Sequence, residues 1–219
     1  DVLEKAGDFE MAVHNLIKEQ AIAHQDIVFN GNGYSPEWVE EAERRGLPNI
    51  TNMVDAVPAL TTEKAIALFE KFNVFTEAEL KSRSEILYES YAKALNIEAR
   101  AMIDMAGKQV IPAVIKYTTV LATSINTVKA ACPADTSAQE SLLTEVSALL
   151  AEAKSALGNL VEAAEKAYAM EAGRAQAVCC RDELKAAMDA LRAPVDKLEM
   201  IVDKDMWPMP SYGDLIFEV

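Results

Sequence analysis

Few residues in this chain have the type and spacing to do chemistry. His14 and His24, its only histidines, stand ten positions apart in what reads as one helix. Two imidazoles that share a metal on one helix face need a spacing of four, so ordinary surface or packing histidines are the stronger reading. Cys179 and Cys180 are adjacent, with no second Cys or His pair nearby to complete a tetrahedral site. Small core residues are therefore favoured over zinc or redox chemistry. The loop Asn30-Gly31-Asn32-Gly33 could offer backbone N–H groups to a phosphate ahead of a helix starting at Ser35. It follows a helix rather than a strand and carries no Lys, which favours a plain turn with positive φ.

Charged residues give three further candidates. Asp104 interrupts the apolar run Met102 to Ala106; it pairs with a buried Lys or Arg, or faces water on the far side of its helix, the commoner outcome. Glu98, Arg100 and Asp104 fall on different helix faces and do not form a ligand cluster. Lys81 and Arg83 could hold an anion or a neighbouring subunit, against a default of ordinary surface charge. No Ser-His-Asp or Cys-His arrangement, Walker loop or dinucleotide fingerprint occurs in the sequence, so an independent enzyme is disfavoured.

The elements that would position these residues are helices. Between Thr76 and Cys132, Leu87, Tyr91, Leu95, Met102, Met105, Val110, Val114, Tyr117, Leu121, Ile125 and Val128 recur at helical steps. At 1.5 Å per residue this helix is roughly 80 Å long and needs partners. Thr76 with Glu79 forms a capping box, and Pro112 predicts a kink within the helix. Ser137 with Glu140 reads as a second capping box. The helix it opens carries Leu142, Leu149, Ala156, Ala163 and Met170 at one heptad position and Val146, Ala153, Leu160 and Ala167 at the other. A turn is expected around Gly173. The following run has Leu184, Leu191 and Leu198 with Met188, Val195 and Val202 between them, kinked at Pro194. Short links demand antiparallel neighbours.

Upstream, an amphipathic helix spans residues 8 to 28, and Ser35-Pro36-Glu37 starts a short one ending near Gly46. Residues 47 to 60 read as a connection with little regular structure, and Thr61 or Thr62 opens another short helix to about Phe72. At the other end, Trp207-Pro208-Met209-Pro210 cannot start as a helix. The apolar tail it begins, with Trp207, Pro208, Pro210, Tyr212 and Phe217 as candidate contacts, is expected to dock on protein. The expected fold is all-α: an elongated, coiled-coil-like antiparallel three-helix bundle (76–204), an N-terminal helical segment (1–75) and an irregular docking tail (205–219).

The chain has 219 residues, half of them apolar, and a formal net charge of -14. Such an acidic surface argues against nucleic acid and anionic membranes as partners. No apolar run reaches the length of a membrane span. Three cysteines, an odd number with two adjacent, fit a reducing cytoplasm rather than a disulfide framework. The missing initiator Met suggests that Asp1 is internal to a longer polypeptide.

Several stretches resemble the C-terminal region of the type III glutamine synthetases: Phe29 to Ser35 with Glu37-Trp38 and Glu41 to Leu47, then Phe75 to Glu77 and Glu79 to Arg83. Asn96 to Ala99, Met102 to Ala106, Ile111 to Val114 and the terminal Trp207 to Phe217 are similar too. The resemblance covers essentially the whole chain, with residues 136–181 similar only in composition. It implies a parent enzyme that joins glutamate and ammonia with ATP and a divalent metal (Mg or Mn) through a γ-glutamyl phosphate, in a ring-shaped, dodecamer-like homo-oligomer. The family's metal-binding glutamates, nucleotide contacts and Asn-Arg-x-x-Ser-Pro segment match no position here, so no catalytic, cofactor-binding or metal residue carries over. The expected role is architectural, attached to the catalytic core of the same polypeptide. The alternative is a regulatory or partner-binding helical module, marked by an exposed apolar stripe.

Overall fold

A computed structural model describes residues 3–5, 7–210 and 212–217; the side chains of Tyr212 and Phe217 lie outside the described residues. All regular structure among the described residues is helical. The chain divides into two compact units, Asp1–Asn52 and Met53–Val219.

The first unit holds α1 (Phe9–Ala23) and α2 (Pro36–Arg44). Asp8 caps α1, its side chain accepting from Met11 N–H, which satisfies one of the free donors of the first turn. The helix stops at Ala23, short of the expected 28, and residues Gln25–Ile27 form a 3-10 turn. Ser35 occupies the position before α2 without a side-chain capping bond, and Pro36 supplies a preset φ at the first helical position.

The second unit runs through α3 (Met53–Ala56), α4 (Glu63–Lys71), α5 (Glu77–Met105), α6 (Ile111–Ala131), α7 (Ser137–Ala169), α8 (Arg174–Cys179), α9 (Lys185–Glu199) and α10 (Tyr212–Phe217). α3 and the 3-10 turn Val57–Thr61 replace much of the irregular connection expected there, because Val54 and Val57 bury against Tyr88 and Ala177. The tail likewise regains a helical turn in α10, after a non-helical start at the prolines.

α5 and α6 are one continuous helical run interrupted by a wide π turn at Ala106–Val110. In that turn Ile111 N–H bonds to Ala106 C=O, five residues back, so the register has already slipped where Pro112 has no N–H to offer. A second wide turn, Cys180–Leu184, joins α8 to α9, and α9 passes through Pro194 without ending.

α7 runs antiparallel to the α5–α6 run before it and to the α8–α9 run after it. Lys129 of α6 pairs with Glu140 at 2.5 Å near the start of α7, and the guanidinium of Arg100 in α5 lies 4.5 Å from the Tyr168 ring centroid near its end. On α7's other side, Lys166 pairs with Glu183 at 2.5 Å, and Gln176 Nε2 donates to Ala167 C=O at 3.1 Å. Two apolar clusters lie between these runs. One joins Ala92, Leu95 and Ala99 of α5 to Leu157, Leu160 and Ala164 of α7 and to Leu184, Met188 and Leu191. The other joins Val114, Tyr117 and Leu121 of α6 to Val146, Leu149 and Ala153, and to Leu198 and Val202. Leu160 and Leu198 are fully buried, each contributing roughly 1.5–3 kcal/mol of transfer free energy.

Three local expectations need correction. Thr136, not Ser137, occupies the cap of α7; its hydroxyl donates to Glu140 Oε1 at 2.7 Å, while Ser137 N–H turns back to Asp135 Oδ1. The interior of α5 is lined by Leu80, Ser84, Tyr88, Ala92, Leu95 and Ala99, with Leu87 and Tyr91 only half-buried. Finally, Gly31 and Gly33 are not among the residues of positive φ. Gly31 instead makes room, since a Cβ there would stand 2.6 Å from the Phe29 ring.

Candidate docking surface

In the second unit the tail folds back on the helices that precede it. Asp203 organises the reversal: its C=O accepts from both Met206 N–H and Trp207 N–H at 3.0 Å, and its carboxylate accepts from Asp205 N–H at 2.9 Å. The chain then bends at Pro208 and Met209 without resuming a helix, as Pro208 and Pro210 lack a backbone N–H. This presents Met206, Trp207 and Met209 to the cluster of Val110, Val114, Leu198 and Val202. Trp207 is half-buried, and its Nε1–H is fully enclosed without an acceptor. Pro208 is exposed and lines a shallow groove with Lys108, Gln109, Pro112 and Lys116. Pro210 is exposed. Tyr212 and Phe217, the remaining expected contacts, have side chains outside the described residues. Lys204 Nζ donates to Asp214 Oδ1 at 2.7 Å, beside Leu215 and Ile216, which are both about two-thirds exposed.

The first unit is ordered by a residue that sequence reasoning did not single out. Arg45 Nη1 donates to Val28 C=O at 2.7 Å and its Nε to Glu41 Oε1 at 2.6 Å, while its guanidinium lies 5.6 Å from the Trp38 ring centroid. Trp38 stacks on Phe29 at 4.3 Å. Arg44 and Arg45 together pull the Glu41 carboxyl from its usual 4.5 down to about 2. The adjacency of Arg44 and Arg45 to Glu41 at helical spacing was the available signal. Around this cluster much apolar surface stays uncovered. No residue of α1 is buried, and Phe9, Ile17, Ile22 and Ile27 are each more than three-fifths exposed.

The remaining candidates stay apart. His14 and His24 are both exposed, and no group of three or more potential metal ligands gathers among the described residues. Cys179 and Cys180 are buried, free thiols in the apolar core, and burial raises both above the usual thiol range. Such thiols are poor nucleophiles. Asp104 faces water and pairs with Lys108 one turn on. Glu98 is exposed, Arg100 lies on Tyr168, Lys81 pairs with Glu77 at 2.6 Å, and Arg83 lies 4.2 Å from the Phe75 ring centroid. No described helix is long and apolar enough to cross a membrane. Each of the charged candidates is therefore engaged within the chain or open to solvent.

The chain is 35% identical over 208 residues to the glutamine synthetase of Butyrivibrio fibrisolvens, covering 94% of this chain and 30% of that protein. It is 31% identical over 220 residues to the type-3 glutamine synthetase of Dictyostelium discoideum, covering 97% of this chain and 30% of the relative. A glutamine synthetase of Bacteroides fragilis is 28% identical over 221 residues, with 99% of this chain and 30% of the relative covered. The chain thus spans about 30% of the length of the curated relatives it matches. Residues 12–129, more than half of the chain, match the family described as the glutamine synthetase C-terminal domain, and the chain belongs to that family.

Proposed function

We propose that this chain is the architectural C-terminal part of a type III glutamine synthetase, whose intact form joins glutamate and ammonia using ATP and a divalent metal. In this reading the chain supplies no catalytic, nucleotide or metal-binding residue, and its surfaces attach it to the catalytic part and set the assembly of a cytoplasmic homo-oligomer. The observation that carries it is the bare apolar face of α1, where Phe9 and Ile17 are both about three-fifths exposed on a helix with no buried residue. A face of this kind calls for a protein cover, and relatives more than three times as long as this chain leave ample polypeptide to provide it. The helical segment 1–75 would be the attachment, 76–204 the projecting bundle, and 205–219 the docking tail.

The test compares the full-length protein with versions lacking residues 76–219 or 205–219, by light scattering and glutamine formation. Loss of oligomer size in both truncations supports the reading. Unchanged size and activity in both would overturn it.

A further inference from the structure

We propose that the outward face of α6 is a two-fold contact between copies of this chain. From Met105 to Ala134 the sequence contains no Asp or Glu and carries only Lys108, Lys116 and Lys129 as charges, in a chain of net charge -14. Lys108 is paired with Asp104 and Lys129 with Glu140, so this face is close to neutral. The outward face of α7 is not: it exposes Glu145, Glu152, Glu162 and Glu165. A copy meeting its like through that face would oppose carboxylates, whereas α6 lets two acidic molecules approach without that cost.

The face is also chemically prepared for burial. Ile115 is about half exposed, Thr119, Thr123 and Thr127 extend its row, and the half-exposed Val120 lies beside that row. The hydroxyls of these threonines are already used. Thr119 donates to Ile115 C=O at 3.1 Å, Thr123 to Thr119 C=O at 2.8 Å and Thr127 to Thr123 C=O at 2.8 Å. Covering them therefore strands no donor. Alongside runs a groove lined by Thr119, Val120, Thr123, Ser124, Thr127 and Val128.

Ile115, Thr119, Thr123 and Thr127 are spaced by four, so they form one ridge. Such a ridge packs into the matching groove of a second helix at an angle of about -50°. A two-fold axis at Thr123 sets Thr119 of one copy opposite Thr127 of the other and Lys116 opposite Ala130, with no like charges facing. The surface is therefore self-complementary, as an isologous contact requires. This inference stands apart from the enzymatic reading, because it uses only the charge and geometry of one exposed helix.

The test uses the full-length protein that carries this chain. Thr123→Cys should give a disulfide-linked dimer under mild oxidation, well above the yield from Glu162→Cys on the acidic face of α7. Thr123→Glu, at an exposed position, should keep its helical circular dichroism yet weaken copy–copy association by about tenfold or more in dilution experiments, through like-charge opposition. Three results would overturn the proposal: equal cross-linking at both cysteines, a Thr123→Cys bridge confined within one polypeptide, or unchanged association of Thr123→Glu. The second would assign the face to the remainder of the same chain.

Discussion

Arg181 Nη1 donates to Asp55 Oδ1 at 2.5 Å, closing a loop of 126 positions between the wide turn before α9 and the short helix α3. The same guanidinium holds Asp182 through Nε at 2.6 Å and Nη2 at 3.0 Å, which lowers the Asp182 carboxyl below its usual range. Asp55 is half exposed, so this bond positions α3 more than it stabilises the unit. Asp55→Asn should raise amide hydrogen exchange across Met53–Thr61 and leave the thermal midpoint of the unit within about 2 °C. A global shift well beyond that would show that the latch carries the fold.

Glu41 makes the first unit acid-sensitive. Its carboxyl is ionised down to about 2 when folded, against 4.5 ordinarily. A depressed folded value adds stability that is complete above the unfolded value and disappears as pH falls towards the folded one. Trp38 fluorescence, which reports the neighbouring stack, should therefore begin to change between pH 4.5 and 2, and Glu41→Gln should remove that transition. An unaltered acid profile in Glu41→Gln would contradict the assignment.

Two glycines should respond oppositely to Ala. Gly158 lies inside α7 with nothing within 4 Å of an added Cβ, so Gly158→Ala should stabilise by about 0.5–1 kcal/mol through helix propensity. Gly173 sits at φ 138° in the turn before α8, where a Cβ is strained whatever the space. Gly173→Ala should cost about 1–3 kcal/mol. Denaturant midpoints of the two variants should fall on opposite sides of the parent.

Trp207 anchors the tail by packing alone, because its Nε1–H has no acceptor. Trp207→Ala should cost up to about 3 kcal/mol, the loss of a large, half-buried ring. Trp207→Phe keeps most of the contact and removes the unpaired donor, so it should stay within about 1 kcal/mol of the parent. If Phe proves as damaging as Ala, the indole N–H has a partner beyond the described residues.

The sequence by itself determined the longer helices and most of their starts, because those depend on neighbours along the chain. The Thr76 and Glu79 box forms as expected, with Thr76 N–H donating to Glu79 Oε2 at 2.8 Å, and Thr62 and Asp8 cap α4 and α1. The run from Thr76 to Cys132 is legible in full, as are the break at Gly173 and the resemblance carried by the two ends of the chain. What the tertiary structure decided is which residues face inward. A strict heptad places Ala156 and Ala163 in the α7 seam, yet the buried series is Val146, Leu149, Ala153, Leu157, Leu160, Ala164 and Ala167. An α-helix turns every 3.6 residues, so a seven-residue stripe drifts round it unless the helices supercoil. Along α5 the interior series includes Ser84, Ala92 and Ala99, small residues that hydrophobic periodicity does not single out. The reach of Arg181 to Asp55, the hold of Arg45 on Val28 and the seat of Trp207 against Val202 are likewise absent from local pattern. Each joins residues whose meeting depends on how whole helices pack, and that packing is set by volume and approach distance, which periodicity does not encode.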